Sequence, residues 1–221
     1  LGSMFLKKGI FYKIRENIFN LFYRIIFLFP NLKVILQNRS DLNYLIKNAK
    51  LKKNKTEIIR GSGVDLKSLK FSKIPKKEPI IVMASRIIAD KGIFEYIKSI
   101  QYLKKHNFEG KFYLVGDIDH KNPSAIKKST VNYWHKKKII TYVKHQKKIS
   151  TFLKKSTIIV LPSYREGFPK ILMEAAACGR PAVTTNVPGC KDAIIKNVTG
   201  ILVPPKNHIL LAKAIKNLCD N

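Results

Sequence analysis

Two glutamates, Glu166 and Glu174, stand with seven residues between them in the run Ser163-Tyr-Arg-Glu-Gly-Phe-Pro-Lys-Ile-Leu-Met-Glu-Ala-Ala-Ala-Cys-Gly-Arg-Pro181. Each carboxylate offers a pair of acceptor oxygens, a chemistry suited to hydroxyl groups. Earlier in the chain, Arg86 and Lys91 follow the apolar run Ile80-Ile-Val-Met-Ala84. Arginine presents a planar fork to phosphate oxygens and lysine a mobile point charge, so together they can grip a diphosphate. Each of these residues also has a plainer reading. Arg86 fits half of a surface salt bridge, Glu166 a surface position and Glu174 an ordinary helix face.

Whether these groups meet depends on the elements that carry them. Ile158-Ile-Val-Leu-Pro162 is unbroken and β-branched, as a strand buried on both faces would be. Pro169 suits a helix start, and a helix through Ile171-Leu-Met-Glu-Ala-Ala-Ala would stop near Gly179 and Pro181. Strand, tight turn and helix N-terminus offer free N–H groups and a positive dipole end to an anion. Glu166 would lie in the turn and Glu174 about one and a half helical turns further on. Beyond Pro30 the chain alternates. Strands are expected at 33–37, 56–59, 80–84, 111–115, 139–143, 157–161 and 181–185, with helices at 39–48, 91–105, 124–136, 147–155, 169–178 and 207–218. Such alternation predicts an α/β fold with a parallel sheet, helices on both faces and ligands at the carboxyl ends of the strands. Before Pro30, residues 5–29 carry Phe11, Ile14, Ile18, Phe22, Ile25 and Phe29 on one helical face, with Lys7, Lys8, Lys13, Arg15 and Arg24 around it. That basic amphipathic stretch suits either a membrane interface or packing against protein.

The 221 residues suffice for one sizeable α/β domain with an appendage. Forty-three Lys and Arg against 14 acidic residues leave a formal charge of +29. This favours anionic partners: nucleotide diphosphates, lipid diphosphates, acidic membrane or nucleic acid. A Lys-rich composition can also reflect genome base bias. Cys178, Cys190 and Cys219 form no paired framework, which points to a reducing cytosol. No apolar run is long enough to span a bilayer. The five histidines lack metal-ligand spacing, and Asp117-Ile-Asp119 is only formally a D-x-D cation motif, so no metal is expected.

With Gly167-Phe-Pro169 after its first member and Ala177-Cys-Gly-Arg-Pro-Ala-Val-Thr-Thr185 after its second, the Glu166/Glu174 pair resembles the donor-site signature of GT4-type glycosyltransferases. Gly61-Ser-Gly-Val-Asp65, Ala84-Ser-Arg-Ile-Ile-Ala-Asp-Lys-Gly92, Leu114-Val-Gly-Asp117, Val187-Pro-Gly-Cys190 and Gly200-Ile-Leu-Val-Pro204 follow in that family's order. Asn122-Pro-Ser-Ala-Ile126 and Leu161-Pro-Ser-Tyr-Arg-Glu166 point to its bacterial surface-polysaccharide branch, that of the bacillosaminyl-diphospho-undecaprenol N-acetylgalactosaminyltransferases. The resemblance implies a GT-B fold and retaining, metal-independent transfer from a nucleotide sugar, with UDP as the expected nucleotide. It assigns Arg86 and Lys91 to the donor diphosphate, Glu174 to the ribose hydroxyls and Glu166 to the donor sugar. Backbone N–H groups of Gly167 and Phe168 would support phosphate and sugar, Gly116 would approach the nucleotide, and Tyr142 and Val143 would contact the base. Glu166, Arg86 and Lys91 are thereby the expected catalytic set.

Two departures accompany the likeness. Lys144 occupies a place where the family usually has glycine, so a side chain could crowd the base pocket. A GT-B enzyme also needs two Rossmann-like domains, and the motifs cover only one. Residues 1–37 are expected to be a remnant of an otherwise missing N-terminal domain, with 38–221 forming the C-terminal nucleotide-sugar domain. Leu1-Gly-Ser-Met-Phe5 fits either an expression scar or a Gly-Leu-Gly-x-x-Phe-like segment of the family. The expected whole is a cytoplasmic enzyme peripheral to the inner membrane. It would act on a polyprenyl-diphosphate-linked glycan, touch anionic lipid and bind no nucleic acid. The alternative is a non-catalytic basic module for anionic membrane or nucleic acid, which lacks any aromatic-basic stacking pattern.

Overall fold

The computed structural model describes residues 9–76 and 78–220. The described residues begin with α1 (Ile10–Ile26), β1 (Val34–Leu36), α2 (Arg39–Ala49) and β2 (Thr56–Ile58). It continues through β3 (Ile80–Ala84), α3 (Ile93–Lys105), β4 (Lys111–Val115), α4 (Lys128–Lys136), β5 (Thr141–Val143), α5 (Ser150–Lys155), β6 (Ile158–Leu161), α6 (Lys170–Ala177), β7 (Ala182–Thr185), β8 (Gly200–Val203) and α7 (His208–Asp220).

Strands β3 to β8 form one parallel sheet in the order β5-β4-β3-β6-β7-β8. Pleating sends alternate side chains to opposite faces, so each strand feeds two cores. Ile81, Met83, Ile158 and Val160 pack under α3, α4 and α7 with Tyr96, Ile100, Trp134 and Ile215. Val82, Ile159 and Leu161 point the other way, against Leu153, Leu172 and Ala175 of α5 and α6. Burial on both faces is why the β3 and β6 sequences read as continuous apolar runs.

The expected strands and helices all form, with shifted edges. Gly200–Val203 was read as a motif only and is in fact an edge strand, paired with β7. The helix expected from residue 124 starts at Lys128, because the Asn122 side chain accepts from Ser124 N–H and hydroxyl and holds a turn there.

The first four elements form a separate layer. Among the described residues, strands β1 and β2 pair in parallel with each other and with no strand of the larger sheet. Phe27, Leu36, Leu45, Ala49 and Leu51 make their small core. Residue 37, where the division is expected, lies between β1 and α2, inside this β-α-β unit. The predicted helix over 5–29 is observed from Ile10 to Ile26, and its expected start, like residues 1–5, lies outside the described residues. Its orientation is unusual. The polar side faces α2, where Asn20 donates to the Tyr44 hydroxyl (3.0 Å), Tyr44 donates to Glu16 (2.6 Å) and Arg24 donates to the Asn48 carbonyl (2.9 Å). The apolar stripe of Phe11, Ile14, Ile18, Phe22 and Ile25 is exposed, with Phe11 at 82%. Among the described residues no helix is long and apolar enough to cross a membrane.

Candidate active site

In the large sheet the chain leaves β3 toward β4 on one side and leaves β6 toward β7 on the other. The loops after β3 and β6 therefore part, opening a crevice beyond their carboxyl ends. A cleft of about 550 Å³ occupies this place. Ala84–Arg86 line it from β3, Val115–Asp117 from β4, His145, Gln146, Lys147 and Ile149 from beyond β5, and Lys170, Ile171 and Glu174 from α6.

Arg86, Gly116 and Glu174, far apart in sequence, thus share one cavity. Gly116 has φ +148°, and any side chain there would strike the Ser85 carbonyl, so β3 and β4 end in close backbone contact. Glu174 is half-buried; desolvation by burial raises its pKa, and Lys170, 3.7 Å away, pulls it partly back. Arg86 is largely exposed and forms an ion pair with Asp119 at 2.8 Å, so the plainer reading of this arginine also describes its geometry here. The first acid of the D-x-D pair, Asp117, accepts from His145 N–H (3.1 Å) and so ties the loop after β5 to the end of β4.

Lys91 and Glu166, on the loops after β3 and β6, are outside the cleft lining and form a second group. Their side chains, 17% and 13% exposed, pair at 2.5 Å. Ser163 donates its hydroxyl to the same Oε1 at 2.6 Å, and Glu166 N–H donates to the Pro188 carbonyl. Gly167 and Phe168 complete the turn into α6. Pro169 gives that helix no side-chain cap, and Lys170 and Ile171 of its first turn line the cleft. Gly61 and Gly63 take left-handed angles, +69° and +72°.

Tyr142 and Val143 sit behind the cleft lining. Val143 carbonyl accepts from Gly116 N–H (2.9 Å) and Tyr142 hydroxyl donates to Gly116 carbonyl (3.1 Å), so both brace that glycine. The wall on this side comes from His145, Gln146, Lys147 and Ile149, and Lys144 is exposed and outside it. Sequence reasoning missed Lys147, Lys170 and Asp119 as neighbours of the site. Their only signals were a lysine pair, a helix first turn and a discounted D-x-D.

A family model described as glycosyl transferases group 1 matches residues 64–221. The chain belongs to the group 1 glycosyl transferases. Along its whole length this group 1 chain is 31% identical to the N,N'-diacetylbacillosaminyl-diphospho-undecaprenol alpha-1,3-N-acetylgalactosaminyltransferase of Campylobacter jejuni, of which it spans 60%. It is 28% identical to the capsular polysaccharide biosynthesis glycosyltransferase CapM of Staphylococcus aureus over 69% of this chain and 40% of that protein. Among solved structures it is similar to a Rickettsia africae glycosyltransferase, with TM-score 0.77, 22% identity, and 92% of this chain and 57% of the other covered. Anabaena HepE in complex with UDP is also similar, with TM-score 0.72, 19% identity, and coverage of 85% of this chain and 54% of HepE. These neighbours are GT-B glycosyltransferases, and the six-stranded body has the fold of one Rossmann-like half. The chain spans 60% or less of each of these relatives.

Proposed function

We propose that this chain carries the donor-binding half of a retaining hexosyltransferase. The whole enzyme would move a hexose or N-acetylhexosamine from a UDP-sugar to a polyprenyl-diphosphate-linked acceptor during surface-glycan assembly. The observation that carries the reading is the meeting of Arg86, Gly116 and Glu174 in one cleft at the sheet's switch point, beside the Lys91–Glu166 pair. In this reading Glu174 accepts from the ribose hydroxyls. Arg86 exchanges Asp119 for the diphosphate, and Lys91 joins it there. As the bond from the sugar's anomeric carbon to the diphosphate breaks, these cations stabilise the charge left on UDP, a role they fill without a metal ion. Glu166 accepts from a donor-sugar hydroxyl. The Campylobacter relative is named for a diphospho-undecaprenol-linked substrate and HepE is seen in complex with UDP, which supports both parts of the reading. Work on such an acceptor would place the enzyme peripherally at the cytoplasmic face of the membrane, where net charge +29 favours anionic lipid.

Calorimetric titration with UDP, with and without magnesium, tests this. Binding should be metal-independent, and Arg86→Ala should weaken it about 10- to 100-fold, the range for losing a charge-assisted contact to phosphate. Salt-sensitive binding with no preference for UDP over other polyanions, unchanged by Arg86→Ala, would overturn it in favour of a general basic module.

A further inference from the structure

Two bonds cross from the small unit to the turn that bears Glu166, and they straddle that residue. On one side, Arg165 forms an ion pair with Asp41 in the first turn of α2. On the other, the Gly167 carbonyl accepts from Asn38 Nδ2 at 2.9 Å. Asn38 is the N-cap of α2: its Oδ1 accepts from Asp41 N–H (2.8 Å) and its Nδ2 also donates to Asp41 Oδ2 (3.1 Å). Asn38 and Asp41 are 2% and 5% exposed, and the Arg165 side chain 17%. The end of the Gln37 side chain also lies against Gly167, in the space that a Cβ there would take.

We infer that Asn38, Asp41 and Arg165 are positioning residues, a latch that holds the Glu166–Phe168 turn in the posture needed to grip the donor sugar. The proposal rests on the reading of Glu166 given above. A buried ion pair is a weak source of net stability, because desolving both charges offsets their attraction. An N-cap needs only an acceptor, and the Asn38 amide adds a donor that no cap requires. Both features are explained if their task is geometry. The bonds from within the large body, to Lys91, Ser163 and Pro188, hold Glu166 on that side. The latch fixes the opposite side to a unit with its own small core. The grip on the sugar therefore depends on where that unit sits, while the grip on the nucleotide comes from outside the latched turn, at Arg86 and Lys91 beyond β3 and at Glu174 in α6.

The experiment compares the affinity of UDP with those of UDP-N-acetylgalactosamine, UDP-N-acetylglucosamine, UDP-glucose and UDP-galactose, using the sugar with the largest gain over UDP. Asn38→Ser keeps a capping oxygen but cannot reach Gly167. The double variant Asp41→Asn with Arg165→Gln removes both charges together, so neither is left buried alone. In both, UDP affinity should stay within about twofold, which also reports an intact body, while the gain from the sugar falls about tenfold, the scale of one lost hydrogen bond in a site. If the gain survives in both variants, or UDP and the UDP-sugar weaken equally, the latch is overturned and the contacts are structural only. If the unaltered chain binds UDP but gains nothing from any sugar, the sugar role of Glu166 fails first and the latch with it.

Discussion

The six-stranded body and the α1–β2 unit solve the burial problem in opposite ways. In the body, both faces of the sheet are covered by the chain's own helices, and Ile81, Val82, Ile159 and Val160 have no exposed surface. In the small unit the two-stranded sheet has a core of five buried residues, and α1 turns its polar side inward and its apolar stripe to the surface. Apolar stripes of that extent are seldom left exposed on single domains. The contrast shows that amphipathic periodicity reports a helix and its face, while the direction of that face depends on what lies beside it. Here Tyr44 and Asn48 of α2 offered partners to Asn20, Glu16 and Arg24, and the polar side took them.

The largest test of this comparison lies in the two cores. Ile159→Ala, at the centre of the large sheet, should cost about 4 kcal/mol and unfold β3–β8 as a unit, whereas Leu45→Ala should cost about 2 kcal/mol. Hydrogen exchange would show the second loss confined to α1, α2 and their strands. Uniform loss of protection in both variants would mean one cooperative unit and break the comparison.

A middle-sized effect concerns Glu174. Burial raises its pKa, so the folded chain holds that proton more tightly than the unfolded one. Its contribution to stability therefore grows as pH falls through the raised folded value and levels off below the unfolded one. The ionised form is the better acceptor, so UDP binding should weaken over the same window, beginning above the ordinary carboxylate range. Glu174→Gln should bind UDP about tenfold more weakly at neutral pH and lose this pH step, measured by titration across the acid range. The smallest effect is expected on the exposed stripe. Phe11→Ser with Phe22→Ser should change stability by about 0.5 kcal/mol or less, yet reduce self-association in sedimentation. A large loss of stability would show the stripe to be packed after all.

Much of this architecture was legible because β-branched runs, a proline at a helix start and glycines at strand ends are local signals. β8 escaped because Gly200-Ile-Leu-Val203 is short and sits at the sheet edge, where only pairing with β7 makes it a strand. Arg86, Gly116 and Glu174 were found, yet Lys147 and Lys170 were not, since nothing local distinguishes a lysine at a cleft rim from the many that face solvent. Tyr142 and Val143, expected at the base, also bond to Gly116, a contact that exists only because β5 pairs with β4.

By itself the sequence determined the family, the alternation of strands and helices, and the residue types available for gripping an anion and hydroxyls. Those depend on composition and spacing along the chain, which the sequence contains in full. Tertiary structure alone decided that Asp119 holds Arg86, that Glu166 is shared by Lys91 and Ser163, and that α2 reaches across to the turn beside Glu166. Such contacts join residues far apart in sequence, as Asn38 and Gly167 are at 129 positions. They exist only where strand order and crossover bring two loop ends to the same place.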